Sequence, residues 1–169
     1  MEIIMEALKR VSPEKVGIHS QCIVDFIRQV RAEGIELHSL MILRHGKVCE
    51  EAWWKPYDSG TPQTMFSFSK SITSTAVGFA VQEGLLSLDE KLVDLFPNET
   101  PENPSENVKA ADVYSLLTMS CGQDSDIYYK LKSYDHWIYD FMHAEFKYKP
   151  GTMFQYNSTG TDMLCAIIK

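Results

Sequence analysis

The sequence has 169 residues, of which 44% are hydrophobic and 23% charged, a balance that excludes disordered and fibrous chains. Its net charge of −7, with no basic stripe, gives a phosphate backbone nothing to bind, so no nucleic-acid partner is expected. No apolar run approaches the roughly 18 residues of a membrane span. Glu2 and Glu6 stand where a secretory leader needs basic residues, so the chain as written is expected to be cytoplasmic.

Ser20 can cap a helix to about Arg31 in which Ile23, Phe26, Ile27 and Val30 form one apolar stripe, with Gly34 as the stop. The runs 39–44 and 47–54 flank His45-Gly46 and read as a hairpin. Leu40-Met41-Ile42-Leu43 is apolar on both faces, the pattern of a strand covered on two sides. After a Pro/Gly/Ser/Thr loop at 55–64, a helix is predicted over 67–83. Ser87-Leu88-Asp89-Glu90 has the capping-box pattern of a short helix ending before Pro97. Further helices are predicted over 108–119, 134–146 and from about 161, separated by a polar loop at 97–107 and a turn at 149–152. Cys22, Cys49, Cys121 and Cys165 are widely spaced, with no CxxC, and read as buried free thiols.

One hairpin cannot make an independently stable sheet. The last helix is still apolar at Ile167 and Ile168 and has no stop signal before Lys169. The expectation is therefore an α+β fold, rich in helix, whose later strands are missing from this sequence. Residues 1–60 would be the helix and hairpin of an incomplete α/β domain, and 61–169 a helical domain. The unpaired hairpin edge would invite self-association. The alternative is a small protein whose hairpin packs flat on a helix.

The stretch that carries chemistry is Ser67-Phe68-Ser69-Lys70. Lys70 is the only charged residue from Ser59 to Gln82, in a segment of small and apolar residues that reads as a core helix. Burial would disfavour its charged form and lower its pKa, making it a proton acceptor. Ser67, three residues away, shares its helix face, and at the helix mouth its backbone N–H would supply half of an oxyanion hole. A second Ser-x-x-Lys, Ser12 to Lys15, lies in a charged segment and is set aside. Taken by itself, the helix leaves open that Lys70 reaches the surface and Ser67 is only a cap.

Three further segments bear on the choice: Glu83 to Glu90, Leu116-Leu117-Thr118-Met119-Ser120-Cys121-Gly122, and Pro150-Gly151-Thr152-Met153-Phe154-Gln155-Tyr156-Asn157-Ser158. With Ser67-x-x-Lys70, in this order and at these intervals, they resemble the serine β-lactamase and penicillin-binding protein superfamily. The likeness is to its class C β-lactamase, DD-peptidase and family VIII esterase branch, over about residues 12–169. The resemblance implies a partial β-lactamase/DD-peptidase-like fold and covalent acyl transfer with no cofactor or metal. Ser67 would be the nucleophile, Lys70 its proton acceptor and Tyr156 the phenol that relays protons. The substrate would be a small ester or amide such as a β-lactam, a D-amino-acid peptide or a short acyl ester.

Two departures qualify this. Ser158 stands where class C enzymes carry Asn, which leaves it as a weaker substrate-binding candidate. No Ser-Asp-Asn motif occurs. Nor does a late Lys-Thr-Gly or His-x-Gly, the strand that gives this superfamily its second oxyanion donor, and the superfamily's chains are about twice as long. The chain alone is expected to be inactive; the competing function is a non-catalytic binding module that keeps the hydrolase shape. His136 and His143 read as a solvated helix face, Asp124-Ser125-Asp126 lacks the rest of a calcium loop, and nucleotide-binding and α/β-hydrolase motifs are absent.

Overall fold

The computed structural model describes residues 8–131 and 135–169. They divide into two compact units, one ending at Thr64 and the other beginning at Met65.

In the first unit, α1 spans Ser20–Ala32 and turns Ile23 and Val30 inward. Phe26, in the predicted stripe, is exposed. Ser20 is the first helical residue and not the cap. Its amide is satisfied by the Glu14 carboxylate at 3.0 Å, which suits the positive end of the helix. Strands β1 (Ser39–Arg44) and β2 (Lys47–Trp53) form the antiparallel hairpin. His45 and Gly46 both have positive φ, 52° and 68°, the turn that matches the strands' right-handed twist. The register shifts after Ile42, so that Cys49 is an extra residue and Val48 and Cys49 are buried in succession.

Met41 and Leu43 of β1 are exposed, so that strand is not covered on both faces as its composition suggested. The outer edge of β2 is partly occupied instead. Val48 exchanges two backbone hydrogen bonds with Lys9 and Val11, both at 2.9 Å.

The second unit is helical. Its helices are α2 (Ser69–Gln82), α3 (Leu92–Leu95), α4 (Glu106–Ala110), α5 (Val113–Leu117), α6 (Trp137–His143) and α7 (Ser158–Ile167). Helix α7 packs against α2, α5 and α6. Leu92, Val113, Phe141, Met142 and Met163 are fully buried, each contributing roughly 1.5–3 kcal/mol by leaving water. Phe141 and Phe146 meet edge to face at 5.7 Å.

Several predicted elements differ. The helix expected over 108–119 is two, broken at Ala111 and Asp112. The Asp112 carboxylate accepts from the Ser115 amide (2.9 Å) while Ser115 Oγ accepts from the Asp112 amide (3.0 Å), a reciprocal cap that starts α5 anew. Ser87 opens no helix. Glu90 reaches back to its amide at 2.9 Å, but α3 begins only at Leu92. The first residue of the helix expected over 134–146 lies outside the described residues, and α6 covers only Trp137–His143. Of the four free cysteines, Cys49 and Cys121 are buried, whereas Cys22 and Cys165 are exposed. Among the described residues no helix is long and apolar enough to cross a membrane.

Gly122 lets the backbone at Tyr148 pack directly against the end of the α5 segment. At φ 108° it holds a conformation that L side chains avoid, and a Cβ there would run into the Tyr148 carbonyl. Because that obstacle is backbone, Gly122→Ala should destabilise the chain by about 2–4 kcal/mol. A urea midpoint equal to that of the unsubstituted chain would contradict this assignment.

Candidate active site

The three residues singled out as catalytic lie together. Ser67 occupies a short 3-10 turn, Phe66–Phe68, that runs directly into α2. Lys70 follows one turn later, its Nζ 3.4 Å from Ser67 Oγ. Tyr156 comes from the segment before α7 and donates its hydroxyl to Ser67 Oγ at 2.6 Å. The lysine ammonium also lies 5.2 Å from the centre of the Tyr156 ring, within cation–π range. Two groups able to exchange protons thus converge on the Ser67 oxygen.

The segment 119–122 positions the tyrosine. Gln155 N donates to Met119 O (2.8 Å), Gly151 N to Ser120 O (2.8 Å) and Tyr148 N to Gly122 O (2.9 Å). These bonds lay 148–155 alongside the end of α5. Phe66, just before Ser67, has φ 43°, in the left-handed region that non-glycine residues rarely occupy. Such backbone strain concentrates at functional sites.

The surroundings of Lys70 differ from the expectation of a core helix. Lys70 is half-buried and Ser67 exposed. Of α2 only Val77 is buried, while Ile72 (62% exposed) and Phe79 (60%) face outward. The helix is apolar around most of its circumference, but within the second unit only one side of it is covered.

The phenol of Tyr156 is acidified. Its hydrogen bond with Ser67 is the largest cause and that with Lys70 the next, and both favour the phenolate against the opposing effect of burial. Asp126, dismissed in the sequence as an incomplete calcium loop, instead faces the start of α7. Its Oδ2 accepts from Ser158 N at 2.6 Å and its Oδ1 from Thr159 Oγ1 at 2.7 Å. Burial raises its pKa, but the hydrogen bonds from Thr159, Tyr128 and Ser158 outweigh that and leave it lowered.

Ser158 is not joined to the three-residue cluster by any of these contacts; its backbone is engaged by Asp126, and it is the first residue of α7. Asn157 caps that helix, accepting from Gly160 N at 2.7 Å, and its amide donates to buried Gln123 at 2.8 Å. An Asn ahead of an apolar run was the readable cue for a helix starting at 158 and not 161. Asp126 had no such cue for its place beside α7, because the partners it meets there, Ser158 and Thr159, lie over 30 residues away. His143 bonds the Tyr139 carbonyl of its own helix at 2.9 Å and stacks on the Tyr139 ring. Among the described residues no three His, Cys, Asp or Glu side chains gather as a metal site.

A model of the Beta-lactamase family matches residues 23–169. The chain belongs to that family. It is 28% identical to the "Probable fimbrial assembly protein FimD, serogroup H1" of Dichelobacter nodosus, over 85% of this chain and 41% of that protein. The "Putative fimbrial assembly protein FimD, serogroup D" of the same organism matches at the same identity and coverage. Among solved structures, the "Putative 6-aminohexanoate-dimer hydrolase from Bacillus anthracis" superposes with a TM-score of 0.62 at 18% identity, over 83% of this chain and 41% of that one. The "putative beta-lactamase from Bacteroides dorei DSM 17855" gives 0.68 at 14% identity, over 89% and 45%. At these identities the structures establish the shared fold, that of beta-lactamase-like hydrolases. The chain spans about two fifths of the length of the curated relatives it matches.

Titration provides a direct check of the cluster. In the difference spectrum between the chain and its Tyr156→Phe variant, phenolate should form below the ordinary tyrosine range near 10. Ser67→Ala should move that midpoint upward, since the Ser67 hydrogen bond is the chief cause of the shift. A midpoint at the free-tyrosine value, unmoved by Ser67→Ala, would show that the contact does not form in solution.

Proposed function

We propose that Ser67, Lys70 and Tyr156 form the nucleophilic centre of a serine hydrolase that acts by covalent acyl transfer on an ester or amide. The observation that carries this reading is that Ser67 Oγ receives both the Tyr156 hydroxyl (2.6 Å) and the Lys70 ammonium (3.4 Å). A serine hydroxyl is a weak nucleophile until a neighbour takes its proton. The acidified Tyr156 phenol fits that task. As a phenolate, held by the positive Lys70, it would accept the Ser67 proton along the same short contact while Oγ bonds to the substrate carbonyl carbon. The tetrahedral oxyanion would then collapse and expel the leaving alkoxide or amine, which takes the proton back from Tyr156. Attack of water on the acyl-serine, with the same phenolate as base, would release the acid and restore Ser67. The Ser67 backbone N–H, at the positive end of α2, is the oxyanion donor that this sequence supplies.

Membership of the beta-lactamase family supports the reaction type, and the substrate classes are the esters, β-lactams and D-amino-acid peptides named above. The 169 residues include no Lys-Thr-Gly or His-x-Gly strand to give a second oxyanion donor. Losing one such donor costs ~100- to 1,000-fold in rate, and losing the cleft wall removes positioning as well. We therefore propose that the 169-residue chain turns over slowly, if at all, when assayed alone.

A fluorophosphonate probe separates labelling from turnover, because it requires a single attack by the activated nucleophile and no release of the acyl group. Ser67 should be labelled covalently, and Ser67→Ala should abolish the adduct. Tyr156→Phe should slow labelling about 100-fold or more, the usual worth of a positioned proton acceptor, and Lys70→Ala should slow it as well, because it removes the charge that favours the phenolate. Labelling that persists in Ser67→Ala, or that ignores the other two variants, would defeat this reading. In a β-lactam or ester assay the same chain should turn over at least 100-fold more slowly than a relative spanning the whole family fold. Equal turnover would refute the proposed dependence on a second donor.

A further inference from the structure

Tyr156 is 45% exposed, so side-chain packing alone does not fix its direction. Its aim depends on the backbone that leads into α7. Two residues after Tyr156, that backbone is gripped by Asp126. Besides the bonds to Ser158 N (2.6 Å) and Thr159 Oγ1 (2.7 Å), Asp126 Oδ1 accepts from Thr159 N at 3.4 Å and from Tyr128 N at 3.0 Å. One half-buried carboxylate therefore joins two stretches of chain 32 residues apart through charge-assisted bonds. The intervening Asn157 is itself buried and held from both sides by Gly160 N and Gln123.

We propose that Asp126 is a positioning residue of the candidate active site, whose carboxylate anchors the first turn of α7 and so aims the Tyr156 phenol at Ser67. Its effect on rate rests on the reading of Ser67 as the nucleophile; its effect on the geometry of Tyr156 does not. The competing role is purely local. Asp126 also begins the 3-10 turn Ile127–Lys130 through the Tyr128 amide, and a residue that did only this would leave Tyr156 untouched. The Thr159 hydroxyl distinguishes the two roles, because it belongs to α7 and contributes nothing to that turn.

The experiment places a fluorotyrosine at position 156 of the 169-residue chain and follows its fluorine signal through a pH titration in the chain itself, in Asp126→Asn and in Thr159→Val. The Asp126 charge itself acts on Tyr156. Thr159→Val keeps that charge, so a change in this variant reports geometry. The fluorine signal should move in both variants, and the titration midpoint should rise in Thr159→Val as the contacts to Ser67 and Lys70 loosen. In parallel, Asp126→Asn should slow fluorophosphonate labelling of Ser67 about tenfold, the scale on which misplacement by a fraction of an ångström acts. That loss should vanish when Tyr156 is already Phe, since the two substitutions would remove the same aid.

A fluorine signal and midpoint unchanged in both variants would overturn the proposal, as would a labelling loss that persists in full beside Tyr156→Phe. Should Asp126→Asn fail to fold, Thr159→Val still decides. If the unsubstituted chain takes no label, the hydrolase reading falls, while the fluorine titration still tests the role of Asp126.

Discussion

The Tyr156–Ser67 hydrogen bond joins residues 89 apart in sequence, and neither side chain is buried deeply enough to be located by packing. The contact therefore depends on its two supports being rigid. One is the turn into α2. The other is the segment 148–155, pinned to 119–122 by three backbone bonds and followed at once by a doubly capped helix. Below both lies the core in which α7 meets α2, α5 and α6. The apolar interior fixes the helices, the helices fix the two backbone ends, and the ends bring an alcohol, an amine and a phenol to one point. Without the core, the entropy of ordering three side chains, none of them fully buried, would exceed what two hydrogen bonds return.

Much of this was legible in the sequence because it is encoded locally. The apolar spacing of α1, the His45-Gly46 turn and the isolated Lys70 each carry their meaning within a few residues. The Ser-x-x-Lys and Tyr segments became informative in combination, by their order and interval, and the structure places their side chains within hydrogen-bonding distance. The break between α4 and α5 was also local, yet obscured. Asp112 and Ser115 look like ordinary interior positions of one longer helix until their reciprocal cap is seen.

What the sequence did not reveal is non-local. Asp126 has no periodic signature, since its meaning depends on Ser158 and Thr159 meeting it in space. The solvent exposure of α2 was misjudged for a related reason. Composition reports what a helix could bury, whereas burial depends on which neighbours are there to cover it, and in the second unit they lie on one side. Half-exposure also changes the electrostatics. Lys70 acts on Tyr156 and Ser67 as a nearby partner at the surface, so the phenol is acidified by specific contacts and not by a dry pocket.

The peptide between Phe66 and Ser67 sets two demands against each other. A glycine at 66 would adopt the left-handed backbone without strain and would make the native fold easier to hold. It would also let the following amide swing through directions that a phenylalanine forbids. The present residue therefore trades some thermodynamic stability for a stiffer joint, and variants selected for heat resistance alone would tend to loosen the backbone at the entry to α2, beside Ser67.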